Sequence, residues 1–185
     1  AATALDDDFG FHPPIRKRLG PPVVEIFDVC QNYRLKGTSD TVPALRNVNL
    51  NRTSEFYPVR KGEFVMIRGP SGGGKTSLLN ILGTIDAPSG GEVRLLGSPI
   101  RYGEVKDSEL ARIRLERIGF VFQTFNLLAT LSAYENVTLP MTILGKLAPK
   151  AIDERAKHLL AAVGLEDRMM HLPSELSGGE QQRVT

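Results

Sequence analysis

Residues 69–77 read GPSGGGKTS. Four glycines, a lysine and three hydroxyls crowd into nine residues, and almost none of them can pack a core. The stretch before it, FVMI (64–67), is a continuous apolar run of the kind that forms a strand buried on both faces. The stretch after it, KTSLLNILGTI (75–85), predicts a helix. Its apolar positions Leu78, Leu79, Ile81 and Leu82 cover so wide an arc that both flanks are expected to be packed. A glycine-rich turn between a buried strand and a buried helix is therefore the reading to test.

That context gives the turn a chemistry. Gly69, Gly74, Lys75 and Thr76 satisfy the pattern G-x-x-x-x-G-K-[ST], with Pro70, Ser71, Gly72 and Gly73 between them. Glycines let backbone N–H groups turn inward where a Cβ would collide. Together with a helix N-terminus they make a nest of donors for phosphate. Lys75 can reach the β- and γ-phosphates, Thr76 can place its hydroxyl on Mg²⁺, and Ser77 can reach the α-phosphate.

Composition sets the outer limits. Of 185 residues, 41% are hydrophobic and 24% charged, ordinary for a soluble globular chain of one domain or a domain with a subdomain. A net charge of +2 is too balanced to argue for nucleic acid or an anionic surface. The lone cysteine, Cys30, excludes an internal disulfide and a C-x-x-C site, and is expected to be a small buried residue. No apolar run approaches the ~18 residues needed to span a membrane. The start, AATALDDDFG, is acidic where a signal peptide would be basic, and it lacks an initiator Met. Residues 1–20 are expected to form a mobile tail.

Further along, VVEIFDVCQNY (23–33) predicts a strand, and ALRNVNL (44–50) a second with Leu45, Val48 and Leu50 facing inward. Residues 51–63 are polar and turn-rich, a hairpin-like excursion. GGEVRLLGSPI (90–100) predicts strand, turn and short strand, and DSELARIRLERI (107–118) a helix with Leu110, Ile113 and Ile118 apolar. Gly119 to Phe122 predicts an apolar strand ending on Gln123, at the kind of edge where ligands bind in parallel α/β sheets. Gln123 is either a plain strand-ending residue or an oxygen donor to Mg²⁺ or water. APKAIDERAKHLLAAVGL (148–165) predicts an amphipathic helix with Ile152, Ala156, Leu159, Leu160 and Val163 on one face and Gly164 as its stop. In LSGGEQQRV (176–184), Ser177 and two glycines precede a helix, as a simple N-cap or as a second anion nest. His158 is expected to be structural or exposed, and His12 and His171 suggest no catalytic or metal site.

Taken in order, GPSGGGKTS, FVFQTFNLLATLSAYENV and LSGGEQQR resemble the ATP-binding subunit of an ABC transporter, nearest to the lipoprotein-releasing and macrolide-exporter branch. The likeness runs from about Val23 to Val184. It implies an α/β P-loop NTPase fold: an ABC-ATPase-like core with an antiparallel β-subdomain and a helical subdomain. The implied divisions are 21–124 for the nucleotide-binding core and 125–185 for the helical subdomain. By resemblance Gln123 is the Q-loop glutamine and shares Mg²⁺ with Thr76, and Tyr33 is the aromatic that stacks on adenine. Leu176, Ser177, Gly178, Gly179, Glu180 and Gln181 are the signature, with Glu180 in place of the commoner Gln.

The resemblance also implies partners. Two cassettes face head to tail, and each signature caps the γ-phosphate of ATP held by the other. The helical segment after Gln123 resembles the part that contacts a transmembrane subunit. That places the chain in the cytoplasm, at the cytosolic face of a membrane, with ATP and Mg²⁺ as its ligands and no nucleic acid. The sequence departs from the family at Thr185, before the segment that supplies the Mg²⁺-ordering Asp, the water-polarising Glu and the sensing His. The family's catalytic residues are therefore expected to be absent, the C-terminal part missing, and the strands 64–67 and 119–122, although in one sheet, left with open edges and a poorly soluble chain. The complete protein is expected to hydrolyse ATP to drive transport. A non-hydrolytic nucleotide- or partner-binding module and a soluble ABC-type ATPase not attached to a transporter stand as alternatives.

Overall fold

The computed structural model describes residues 20–35 and 37–185. They divide into two compact units, one reaching to Asp107 and the other from Ser108 to Thr185. Residues 108–124, read from the sequence with the nucleotide-binding core, thus fall on the side of the helices. The tail expected over 1–20 lies outside the described residues except Gly20, whose N–H donates to the Lys61 carbonyl at 2.9 Å.

The first unit is built on an antiparallel sheet. Its elements are β1 (Pro22–Arg34), β2 (Thr41–Leu50), β3 (Val59–Arg60), α1 (Lys75–Leu82), β4 (Gly90–Leu95) and β5 (Ser98–Ile100). The sheet order is β2-β1-β4-β5, with β3 also on β1. Ile26 and Val29 of β1 and Leu45 of β2 lie in the core beside Val93 and Leu95 of β4 and Leu78 and Ile81 of α1, whereas Val48 and Leu50, read as inward-facing too, are only half-buried. The β1–β2 register shifts three times between Ile26 and Asn32. Asp28 (φ 49°) and Asn47 (φ 47°) sit in the left-handed region there, where short polar side chains can bond locally. Asn49 closes the distortion: its Oδ1 accepts from the Asp28 N–H at 3.0 Å and its Nδ2 donates to the Asp28 carboxylate at 2.8 Å. Cys30 is half-buried rather than a core residue, because its Sγ donates to Asn47 Oδ1 at 2.8 Å and accepts from the Asn47 N–H at 3.2 Å.

The excursion 51–63 returns to the sheet. Asn51 is buried and anchors it: Nδ2 donates to the Ile26 carbonyl at 3.1 Å, and Oδ1 accepts from the Thr53 N–H at 3.0 Å and hydroxyl at 2.8 Å. The chain then pairs Val59 with Val24 and Arg60 with Pro22.

Two expectations fail here. Residues 64–67 form no strand, and Phe64 and Met66 are 88% and 66% exposed. A continuous apolar run becomes a central strand only when neighbours pair with both its edges, and none of the sheet's pairings involves these residues. The helix stops at Leu82, three residues early, with Gly83 as its cap and Thr84 at φ 58°. Only Leu78 and Ile81 are buried; Leu79 is 54% exposed, so one face of α1 is covered rather than two flanks.

The second unit is helical: α2 (Asp107–Arg117, starting one residue before the division), α3 (Ala133–Leu144), α4 (Pro149–Ala162) and α5 (Gly178–Val184). Ala133, Leu160, Leu165, Leu176 and Val184 form its core. Ser132 starts α3 through a capping box, accepting the Glu135 N–H at 3.2 Å while Glu135 Oε2 accepts the Ser132 N–H at 2.7 Å. α4 buries Ile152, Ala156 and Leu160 as its periodicity predicts, and Gly164 (φ 70°) follows its end. Leu159 and Val163, read on the same face, lie at its margin and stay 43% and 38% exposed. The strand expected at 119–122 is absent too. Phe120 and Phe122 nonetheless stack at 5.3 Å between ring centroids, the period-two relation of an extended chain without sheet partners. The two apolar runs therefore do not share a sheet, since neither belongs to one.

Candidate nucleotide-binding site

The turn at 69–77 leads directly into α1, and its shape depends on glycine. Gly74 is the N-cap of α1 at φ 77°. A Cβ there would collide with the Ala44 carbonyl oxygen and come within 2.8 Å of Leu45 Cδ2 on β2. Gly72, at φ 78°, needs the same left-handed conformation but faces open space. The Gly73 N–H donates to the Pro70 carbonyl at 3.2 Å, which tightens the turn.

No side chain caps the first turn of α1, and no acidic residue lies in it. Its N-terminal N–H groups therefore keep their partial positive charge for a ligand. Lys75 is half-buried and folds back over the turn, its Nζ donating to the carbonyls of Gly69 (2.8 Å) and Pro70 (2.6 Å). Thr76 is exposed and Ser77 half-buried. A glycine whose Cβ the fold cannot admit, an uncapped helix start and a lysine that among the described residues bonds only carbonyls leave donors available to anionic oxygen. The residues present fit the polyphosphate that their sequence pattern predicts.

Tyr33, near the end of β1, is brought to this turn. Its hydroxyl lies 3.2 Å from Ser77 Oγ and 3.2 Å from Asp86 Oδ2, and 40% of the residue is exposed. No sequence pattern marks Asp86 as part of the site. Its only local signal is a carboxylate just beyond the helix, and the contact with Tyr33 spans 53 positions.

Gln123 and the signature belong to the second unit. Gln123 is exposed on a bend after 119–122, not at the edge of a sheet as read from the sequence, because the preceding run has no strand partners. Ser177 caps α5 with a complete box: Oγ accepts the Glu180 N–H at 3.3 Å, and Glu180 Oε2 accepts the Ser177 N–H at 2.7 Å. The structure shows the simple N-cap: the box takes up the N–H groups of Ser177 and Glu180, while Ser177, Gly178 and Gly179 stay exposed. Hydrogen bonds from the Ser177 side chain and backbone, then Arg168 and Arg183, hold the Glu180 carboxyl below its ordinary range. Gln181 points inward, its Nε2 donating to the carbonyls of Pro173 (2.8 Å) and Leu176 (3.0 Å), and buried Leu176 anchors the segment.

Comparison with known proteins identifies the class. Residues 55–185 match the ABC transporter family, and the chain belongs to it. It is 47% identical over 180 residues to ABC transporter H family member 2 of Dictyostelium discoideum, covering 97% of this chain and 32% of that protein. It is 42% identical over 165 residues to the macrolide export ATP-binding/permease protein MacB of Marinobacter nauticus, covering 89% of this chain and 24% of that protein. Among solved structures it is similar to the ATP-binding cassette MJ0796 in a dimeric post-hydrolysis state bound to ADP and Pi. That match has a TM-score of 0.74 and 41% identity, covering 87% of this chain and 66% of the other. The curated relative of that name is from Methanocaldococcus jannaschii. The chain spans about a third of the Dictyostelium protein and 64% of an ABC transporter ATP-binding protein of Thermotoga maritima. The expected fold class, an ABC-type P-loop ATPase, is thus established, although 64–67 and 119–122 lie outside the sheet.

Proposed function

We propose that this chain is the nucleotide-binding part of an ABC transporter and holds Mg²⁺-ATP on the turn 69–77. The observation that carries this is the uncapped start of α1 behind Gly74, with Lys75 over the turn and no acidic residue in that helical turn. In this reading Lys75 exchanges the carbonyls of Gly69 and Pro70 for phosphate oxygens. The N–H groups of 72–77 surround the phosphates, Tyr33 offers its ring to adenine, and Thr76 offers its hydroxyl to the metal. The metal neutralises phosphate charge when bound.

The exposed Ser177, Gly178 and Gly179 act on the nucleotide of a second cassette, and the helical unit meets a transmembrane subunit at the cytosolic face of a membrane. In support, a similar solved structure is a dimeric cassette bound to ADP and Pi, and MacB is named as an ATP-binding and permease protein. Hydrolysis coupled to transport is the activity of the assembled transporter.

The test is titration with a fluorescent ATP analogue. Lys75→Ala is expected to weaken binding at least tenfold, about 1.4 kcal/mol. Among the described residues the Lys75 ammonium bonds only carbonyls of its own turn, so the far-UV spectrum is expected to stay unchanged. Equal affinity for the two proteins overturns the proposal.

A further inference from the structure

Tyr33 does not stand alone beside the phosphate turn. Its hydroxyl reaches both Ser77 Oγ and Asp86 Oδ2, each at 3.2 Å. The same carboxylate oxygen accepts from Asn80 Nδ2 at 3.1 Å, and the Asn80 carbonyl accepts from the N–H groups of Ile85 (2.8 Å) and Asp86 (3.3 Å). Asp86 is therefore fastened to α1 through both its backbone and its side chain, and it is half-buried. A tyrosine hydroxyl has one hydrogen, and a carboxylate is a stronger acceptor than a serine hydroxyl. The hydrogen goes to Asp86, and the Tyr33 oxygen is left to accept from Ser77.

We propose that Asp86 is a positioning residue for the nucleotide base: by accepting the Tyr33 hydroxyl beside Ser77, it fixes the Tyr33 ring at the edge of the phosphate turn before nucleotide arrives. The proposal rests on the reading of Tyr33 as the adenine platform and adds the group that holds it. A half-exposed aromatic ring near the end of a strand otherwise loses rotamer freedom when a base stacks on it, and a tether bears that cost in the folded protein. Because the tether acts on the ring, its effect is confined to ligands that carry a base.

The experiment titrates the full chain with ATP and with inorganic tripolyphosphate, in parallel for each variant. Asp86→Ala is expected to weaken ATP about threefold to tenfold and to leave tripolyphosphate unchanged. Asp86→Asn, whose amide oxygen still accepts from Tyr33, is expected to restore ATP affinity. Tyr33→Phe, which removes the same bond from the other end, is expected to match Asp86→Ala, and the double variant to lose no more than either single one. If Asp86→Ala fails to fold, Tyr33→Phe carries the test.

Equal losses for ATP and tripolyphosphate in both Asp86→Ala and Tyr33→Phe overturn the proposal, as does no loss for either ligand. Tyr33→Ala separates the two levels. If it lowers the ATP-to-tripolyphosphate preference while Asp86→Ala and Tyr33→Phe do not, the positioning role alone falls. If Tyr33→Ala leaves that preference intact, the platform reading falls and the positioning role with it.

Discussion

Gly74 and Ala44 meet backbone to backbone. The left-handed glycine that starts α1 lies so close to the Ala44 carbonyl that no β-carbon fits between them. This contact seats the phosphate turn on β2, and it ties the position of Lys75 to a strand 30 residues earlier in the chain.

The contact separates two glycines that look equivalent in the sequence. Gly74→Ala meets both the left-handed φ and a backbone collision, and is expected to cost at least about 3 kcal/mol and to abolish ATP binding. Gly72→Ala meets only the left-handed penalty, about 1–2 kcal/mol, since nothing lies within 4 Å of its Cβ. Urea denaturation of the two variants checks the order; equal destabilisation would sink the argument.

Tyr102 gives the first unit an alkaline limit. Its hydroxyl donates to the Ile81 carbonyl at 2.7 Å, at the end of α1, and burial pushes the phenol up to about 12. A phenol raised above its unfolded value near ~10 stabilises the fold fully below that value and loses the effect as pH rises towards 12. Stability is therefore expected to fall between pH 10 and 12. In Tyr102→Phe this step is expected to shrink, and stability at neutral pH to drop by about 1 kcal/mol. Ile81 O retains the Thr84 N–H at 3.0 Å. Denaturant midpoints across that pH range decide the matter.

The start of α5 answers to acid instead. The Glu180 carboxyl is held low chiefly by the side-chain and backbone hydrogen bonds from Ser177. A depressed carboxyl contributes above its unfolded value, and the contribution disappears as pH falls through the folded one. The protection of the Ser177 amide against exchange, relative to its intrinsic rate at each pH, is expected to hold at neutral pH and to fall on acidification below about pH 4.5. Glu180→Gln keeps an acceptor for the Ser177 N–H and is expected to remove that acid step. An unchanged acid step in this variant would assign it to another group.

Ser177→Arg tests the signature across an interface. Ser177 is exposed, and its cap serves only its own short helix. In a cassette of the length of its relatives, the variant is expected to bind ATP normally and to fail to dimerise with non-hydrolysable ATP. Light scattering reads the outcome, and a normal dimer contradicts the head-to-tail arrangement.

Features that depend on near neighbours were legible from the sequence alone. The glycine–lysine turn, the Ser177 cap, the stop at Gly164 and the strand character of β1, β2 and β4 are all set within a few residues. They follow from backbone sterics, local hydrogen bonds and the period of the side chains. Features that need a distant partner were not legible. FVMI and GFVF have the composition of buried strands, but burial requires edges to pair with, and composition does not supply them. In the same way, no local pattern joins Val59 to Val24, Gly74 to Ala44, or the Tyr33 hydroxyl to Asp86. The sequence by itself determined that the chain carries a glycine–lysine turn at the start of a helix and a capped second glycine motif. Only the tertiary structure decided which strand seats the turn and which carboxylate holds the tyrosine beside it, because those contacts form between segments that loop closure brings together.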